Sequence, residues 1–84
     1  MKTSERMRKR GWRLDSTLFW VKRVAGAYAF AWEFGALHAP VPSGFSVIVD
    51  GIETTVWCGW NSVVHCAQRA ESAARKLARG RSGK

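Results

Sequence analysis

The sequence predicts a small α+β domain, an antiparallel β-meander of about four strands packed by one C-terminal α-helix. Three observations support this fold class: aromatic and small residues alternate in mid-chain, an Asp-Gly pair separates two β-branched runs, and alanine recurs at helical spacing near the C-terminus. The chain has 84 residues, of which 46% are hydrophobic. That length and composition suit one folded domain with a small core.

The two ends of the chain are basic. Residues 1–13 carry six basic side chains and one acidic side chain, and residues 61–84 carry the same numbers. Because residues 1–10 show no repeating apolar position, we expect residues 1–11 to form a flexible basic arm. The folded domain then spans residues 12–80, followed by a basic tail over 81–84. The net charge of +8 favours anionic partners.

The first two strands are predicted over residues 18–25 and 27–34. Periodicity alone leaves residues 18–25 open to either strand or helix, and their β-branched and aromatic content, with Gly26 following, favours a strand. Residues 27–34 alternate with a period of two. One face of that strand is large and aromatic, comprising Tyr28, Phe30, Trp32 and Phe34. The other face is small, comprising Ala27, Ala29, Ala31 and Glu33, and a helix can approach such a surface closely.

A hairpin and a helix are predicted to follow a loop over residues 35–44. Asp50-Gly51 suits a type I′ turn, which pairs Val49 with Ile52 and so joins strands over 45–49 and 52–58. This register places Phe45, Val47, Val49, Ile52, Val56 and Cys58 on one face, and Ile48, Glu53, Thr55 and Trp57 on the other. Asn61 or Ser62 is the predicted N-cap of a helix that runs to about Arg79 and stops at Gly80.

The helix is predicted to be amphipathic. Its buried stripe comprises Val63, Cys66, Ala67, Ala70, Ala74 and Leu77. Its opposite stripe comprises His65, Arg69, Ser72, Lys76 and Arg79, with Arg75 on the flank. Glu71 and Arg75 are spaced for an i,i+4 ion pair.

The residue types and their spacing do not favour a metal site or an active site. Cys58, His65 and Cys66 are close in sequence, but His65 and Cys66 point about 100° apart on a helix, and His38 would have to complete the site. We therefore expect no metal or other cofactor, and free buried thiols rather than a Cys58–Cys66 disulfide. No nucleophile elbow, paired-carboxylate motif or phosphate loop is present, so we expect a protein that is not an enzyme.

Membrane insertion and secretion are not expected. The longest uncharged apolar run near the N-terminus covers residues 24–32, well short of the roughly 20 residues of a membrane span. Residues 11–15 do not form the apolar region of a signal peptide. We therefore expect a cytoplasmic protein, in the cytosol of a bacterial host.

Two surfaces are predicted to bind partners. The first is the helix stripe of His65, Arg69, Arg75, Lys76 and Arg79, whose cations could contact phosphates together with the N-terminal arm. The second is an aromatic face of Trp20, Tyr28, Phe30, Trp32 and Trp57, left uncovered if the helix packs on the alanine face. The sequence leaves open which face the helix covers, and a homodimer through the aromatic face is a further alternative.

The order of strands and a basic C-terminal helix over Phe45–Leu77 resembles the layout of part of the double-stranded RNA-binding domain. That family carries paired lysines at the start of its last helix. The corresponding positions here are Ser62-Val63-Val64-His65, which contain no lysine, and no preceding helix is predicted.

Short aromatic strands, the Val49-Asp50-Gly51 turn and the alanine-rich run over Ala67–Ala78 also resemble, over residues 18–79, small phage or mobile-element proteins such as the anti-CRISPR inhibitors. The resemblance implies a stoichiometric protein that binds a host CRISPR-Cas surveillance complex or nuclease and blocks it without chemistry of its own. The alternative is a small basic accessory protein that binds nucleic acid through the C-terminal helix and the N-terminal arm.

Overall fold

An antiparallel sheet and a long C-terminal helix form the body of the protein, as the sequence predicts, and the sheet has five strands where about four are expected. The computed structural model describes residues 2–15, 19–33, 35 and 41–82. The strands are adjacent in chain order from β1 to β5, so the sheet is a meander. The elements are α1 (Thr3–Lys9), β1 (Arg13–Leu14), β2 (Trp20–Val24), β3 (Ala27–Trp32), β4 (Ser43–Val49), β5 (Ile52–Gly59) and α2 (Val63–Ser82).

The hairpin of β4 and β5 has the predicted register. Val49 pairs with Ile52, Val47 with Thr54 and Phe45 with Val56. Asp50 and Gly51 both have positive φ, at 53° and 76°, as a type I′ turn requires. The register shifts once, between Ser43 and Gly44, which places a β-bulge at the far end of the hairpin.

The alanine face of β3 lies under α2. Ala27, Ala29 and Ala31 are buried in the hydrophobic core together with the alanines of α2. Residues paired across antiparallel strands share a face, so Trp20, which pairs with Ala31, and Val47, which pairs with Ala29, also face the helix. Small side chains on both surfaces let the helix and sheet approach closely. Residues 18 and 34 of the predicted strands lie outside the described residues.

The start of α2 is set by Ser62. The backbone N–H of His65 donates to Ser62 Oγ at 3.2 Å, whereas the Asn61 side chain donates to the Cys58 carbonyl at 2.8 Å. The predicted stop at Gly80 is wrong, since α2 continues to Ser82. A glycine ends a helix when it adopts the left-handed conformation, and Gly80 does not have a positive φ.

Four of the predicted stripe alanines and cysteines are fully buried, namely Cys66, Ala67, Ala70 and Ala74, and Val63 is nearly so. Leu77, which the sequence places in the buried stripe, is exposed. No helix in the described part of the chain is both long and apolar enough to cross a membrane.

The N-terminal segment corrects the sequence prediction. Residues 1–11 are expected to form a flexible arm, but Thr3–Lys9 form a helix that contacts α2. Met7 is fully buried and joins the same core cluster as Trp12. A helix of two turns needs only one or two apolar anchors to dock, so the absence of a repeating apolar pattern did not reveal it.

Candidate binding surfaces

The sheet face turned away from α2, called the open face below, carries most of the predicted aromatic surface. Tyr28 is 48% exposed and Trp57 is 59% exposed, whereas Phe30 is half-buried. Strand pairing arranges this face in rows. One row joins Arg23, Tyr28, Ile48 and Glu53, a second joins Arg13, Val21, Phe30, Ser46 and Thr55, and a third joins Trp32, Gly44 and Trp57.

Two predicted interface tryptophans are buried. Trp20 lies on the face under α2 and is only 7% exposed, so it is core and not part of the open face. Trp32 is on the open face but is equally buried, because Phe19 and Trp57 pack edge-on against it with ring centroids 5.9 and 5.5 Å away. Its Nε1 donates to the Pro42 carbonyl at 3.0 Å. Trp32 is therefore a buried ring against which the exposed ring of Trp57 packs.

Gly44 makes room for this arrangement. A Cβ atom at position 44 would lie 2.8 Å from Cζ2 of Trp32 and 2.7 Å from the backbone oxygen of Val56. Both separations are far below van der Waals contact, so glycine at position 44 lets the indole of Trp32 approach β4 this closely.

An apolar groove of about 310 Å³ runs across the middle of the open face. Its lining residues are Phe19, Phe30, Trp32, Ser46, Ile48 and Glu53. The floor is aromatic and aliphatic, and the carboxylate of Glu53 stands at the β5 side. Such a groove suits an apolar side chain or a flat ring of a partner.

A basic concavity of about 630 Å³ lies near the β1 edge of the sheet. Its lining residues are Gly11, Arg13, Val21, Lys22, Arg23 and Tyr28. The Arg23 guanidinium carbon lies 4.8 Å from the centroid of the Tyr28 ring, and Nη2 donates to the Tyr28 hydroxyl at 3.1 Å. We call Arg13, Arg23 and Tyr28 the basic corner. Sequence reasoning included Tyr28 in a surface but missed Arg13 and Arg23.

The β5 strand forms the other edge of the sheet. It is the last strand in the described part of the chain, and five of its first six residues are exposed, with Ile52 71% exposed. Trp60, which follows the strand, is 80% exposed. Glu53 is the one charged residue in the strand. Long edges with few charges are the usual templates for pairing with another chain.

The residues of the predicted helix stripe differ in their exposure and in their contacts with the sheet. Arg75, Lys76 and Arg79 are exposed and His65 is half-buried. Arg69 is exposed as well, but it also contacts the sheet: its guanidinium carbon lies 5.7 Å from the centroid of Phe45, and its Nη1 lies 3.7 Å from the Cys58 sulfur. The stripe therefore has one cation that packs on the edge of the core.

Glu71 has a buried carboxylate, and the ion pair with Arg75 that the sequence predicts is wrong. It does not pair with Arg75; it accepts hydrogen bonds from Arg10 and from Trp12, whose Nε1 is 2.8 Å away, and Lys22 Nζ lies at 3.5 Å. Burial alone would raise the pKa of Glu71, but the hydrogen bonds from Arg10 and Trp12 and the charge of Lys22 outweigh it and lower that pKa. Glu71 follows Ala67 by four residues and precedes Ala74 by three, which places it at the rim of the buried stripe. This spacing could have indicated in the sequence that Glu71 is buried.

The two cysteines are free and buried, as predicted. Burial raises the pKa of the Cys66 thiol to about 11, so it is a weak nucleophile at neutral pH. Cys58 lies on β5 and Cys66 on α2. Among the described residues, no three His, Cys, Asp or Glu side chains are grouped in a way that could hold a metal ion. His38 lies outside those residues.

The geometry thus provides three surfaces: the β5 edge with Trp57 and Trp60, the basic corner, and the exposed part of the α2 stripe. The structure has a short helix, α1, before its strands, which the sequence analysis does not predict. Comparisons with protein families, with curated proteins and with solved structures each found no match to this chain.

Proposed function

We propose that this chain is a non-enzymatic binding protein and that its exposed edge strand, β5, binds an extended segment of a partner protein. The observation that carries the proposal is the long, exposed and almost uncharged edge of β5, together with the exposed indoles of Trp57 and Trp60. Exposed apolar surface of this kind is costly in water and usually marks an interface.

Strand addition explains how such an edge would work. The outward-facing backbone groups of β5 offer hydrogen bonds to an added strand, and side chains on alternate positions give specificity. Trp57 stands on the open face next to that edge, and its edge-to-face contact with Trp32 at 5.5 Å holds the ring in place before binding. A pre-positioned indole loses little conformational entropy when a partner covers it.

The partner that the sequence resemblance suggests is a host CRISPR-Cas surveillance complex or nuclease, which a phage or mobile element would inhibit. Inhibition by binding alone requires a surface and no catalytic group. The β5 edge supplies such a surface, and the positive charge elsewhere on the chain would steer it toward an acidic, nucleic-acid-like region of the target.

The experiment is capture of purified CRISPR-Cas surveillance complexes, treated with nuclease, on immobilised protein. We expect equimolar retention by the wild type, and loss of retention by Trp57→Ala and by Trp60→Ala. Leu77→Ala, which removes an exposed apolar side chain from α2, is the matched control and should retain the complex. Equal retention by all four proteins, or by none, would contradict the proposal.

A second copy of this chain is the other occupant that the edge could accept. Sedimentation at increasing concentration separates the two: a dimer that Trp57→Ala dissociates would identify β5 as a homodimer interface and overturn the assignment to a foreign partner. A monomer at all concentrations is the expected result.

A further inference from the structure

We propose that the basic corner binds single-stranded nucleic acid, with phosphates on Arg13 and Arg23 and a base stacked on the Tyr28 platform. This site goes beyond the proposed protein interface because it lies at the opposite end of the sheet. Arg13 is on β1 and Arg23 on β2, whereas the protein-binding edge is β5. The two surfaces can therefore be tested separately.

The charge around the concavity favours an anion. Arg13, Lys22 and Arg23 line it, and its described lining contains no acidic residue. Lys22 is committed to Glu71 and to the Arg10 carbonyl. Arg13 and Arg23, in contrast, form no ion pair within residues 2–15, 19–33, 35 and 41–82. Both are exposed, so their charges are available to phosphate.

The N-terminal helix adds to this positive field. Gly11, which lines the concavity, follows α1 by two residues, and α1 exposes Arg6, Arg8 and Lys9. The one buried carboxylate nearby, Glu71, is already neutralised by Arg10 and Lys22. The exposed cations of α1 therefore add to the positive charge of the segment next to Gly11, and such charge attracts the backbone of a single strand.

The flat platform distinguishes a nucleic-acid strand from a simple anion. The Arg23 guanidinium carbon lies 4.8 Å from the centroid of the Tyr28 ring, and Tyr28 is still 48% exposed. Bases stack on tyrosine rings and on guanidinium planes, provided that they are not already stacked inside a duplex. Phe30 is next to this platform on the same face and leads into the apolar groove. An unpaired base fits this surface and a duplex does not.

The helix stripe is the weaker site for such a strand. Arg69 is engaged with Phe45 and Cys58, and the described stripe offers no exposed aromatic ring beside its cations. Lys76 is exposed on α2 and makes a suitable control, because its substitution removes one positive charge far from Tyr28. A purely electrostatic interaction would respond to Lys76→Gln as it does to Arg23→Gln.

The test measures the fluorescence anisotropy of a fluorescein-labelled oligothymidylate of about 12 nucleotides, the length a small single-strand site covers. We expect Arg13→Gln and Arg23→Gln each to weaken binding about tenfold and to reduce the salt slope by about one. Tyr28→Leu, which leaves the charge unchanged, should weaken binding at least about fivefold with the same salt slope. Lys76→Gln should change the Kd less than about twofold, and thermal melts should show that all variants fold.

Three results would overturn the proposal. The first is that the wild type does not bind the oligonucleotide. The second is that a duplex of the same length binds as tightly as the single strand. The third is that Lys76→Gln weakens binding as much as Arg23→Gln while Tyr28→Leu has no effect. The last result would mean that the protein attracts polyanions through its net charge alone.

Discussion

Arg10 and Glu71 form a bidentate ion pair across 61 positions of the chain, with Nη2 to Oε1 at 2.6 Å and Nε to Oε2 at 3.2 Å. Glu71 is only 4% exposed, and Trp12 donates to the same carboxylate. This cluster joins the segment before the sheet to the middle of α2. It shows how a basic N-terminal segment with few apolar residues becomes part of the fold.

The first prediction concerns that carboxylate. Glu71→Gln removes the charge and turns an amide donor toward Arg10, Trp12 or Lys22, which are all donors. We expect the free energy of unfolding to fall by about 1–3 kcal/mol, measured by urea denaturation. Glu53→Gln makes the same chemical change at an exposed position and should stay within about 0.5 kcal/mol of wild type. Equal midpoints for the two variants would contradict the structural role of Glu71.

The same carboxylate predicts how stability depends on pH. Its folded-state pKa is lowered from the ordinary value of 4.5, because hydrogen bonds and neighbouring cations outweigh the opposing effect of burial. The contribution is therefore fully present above about pH 4.5 and is lost as the pH falls through the folded-state pKa. Thermal melts of wild type and Glu71→Gln should converge as the pH falls through that range. A gap that stays constant down to about pH 3 would show that the charge is not the cause.

Much of the fold could be predicted because local chemistry and face patterns agree. Asp50-Gly51 specifies the turn, the turn specifies the register, and the register puts Phe45 and Val47 toward the helix. The alternation over β3 likewise separated an alanine face from an aromatic face, although it left open which of the two the helix covers. These are short-range signals, and each depends on only a few neighbouring residues.

The N-terminal helix could not be predicted because it depends on contacts distant in sequence, and the basic corner could not be predicted because its first strand, β1, has only two residues. Met7 is buried only because α2 lies beside it, and Glu71 is neutralised only by Arg10 and Lys22. Arg13 joins Arg23 and Tyr28 because β1 pairs with β2 for two residues. Contacts distant in sequence leave no local pattern, and a strand of two residues is too short to show alternation.

The third prediction compares two glycines. Gly44→Ala places a Cβ atom 2.7 Å from the backbone oxygen of Val56 and 2.8 Å from the Trp32 ring. We expect a loss of about 1–3 kcal/mol, because that backbone atom cannot move away easily. Gly80→Ala meets nothing within 4 Å and lies inside α2. It should be neutral or stabilising by up to about 1 kcal/mol in the same denaturation assay. Destabilisation at position 80 as large as that at position 44 would be evidence against the packing around Trp32.

The fourth prediction concerns the thiols. Burial raises the pKa of Cys66 to about 11 and limits access to both sulfurs. At about pH 8, labelling of Cys66 by a disulfide reagent should be on the order of 100-fold slower in the native protein than in denaturant. The Cys58→Ser variant isolates Cys66 for this measurement. Rapid native labelling of that variant would show that the site opens or that the thiol is not buried.

The last prediction separates two cations of α2 that look equivalent in the sequence. Sequence reasoning places Arg69 and Lys76 on one solvent-facing stripe, so reversing either charge should leave the melt nearly unchanged. The structure instead sets the Arg69 guanidinium over Phe45, near Cys58, where a carboxylate would face an aromatic ring and a sulfur. We therefore expect Arg69→Glu to lower the free energy of unfolding by about 1 kcal/mol, because the cation–π contact of this exposed arginine is lost and a carboxylate faces the negative face of the Phe45 ring.

Lys76→Glu should stay within about 0.5 kcal/mol of wild type, since Lys76 is exposed and, unlike the equally exposed Arg69, has no ring or hydrogen-bond contact among the described residues. Arg69→Met tests the reason for the difference, because it keeps the apolar contact with Phe45 and removes the charge. If the contact and not the charge holds Arg69 in place, Arg69→Met should be much less destabilised than Arg69→Glu. Identical urea midpoints for Arg69→Glu and Lys76→Glu would mean that Arg69 does not pack on the sheet and that the solvent-facing stripe predicted from the sequence was the better description.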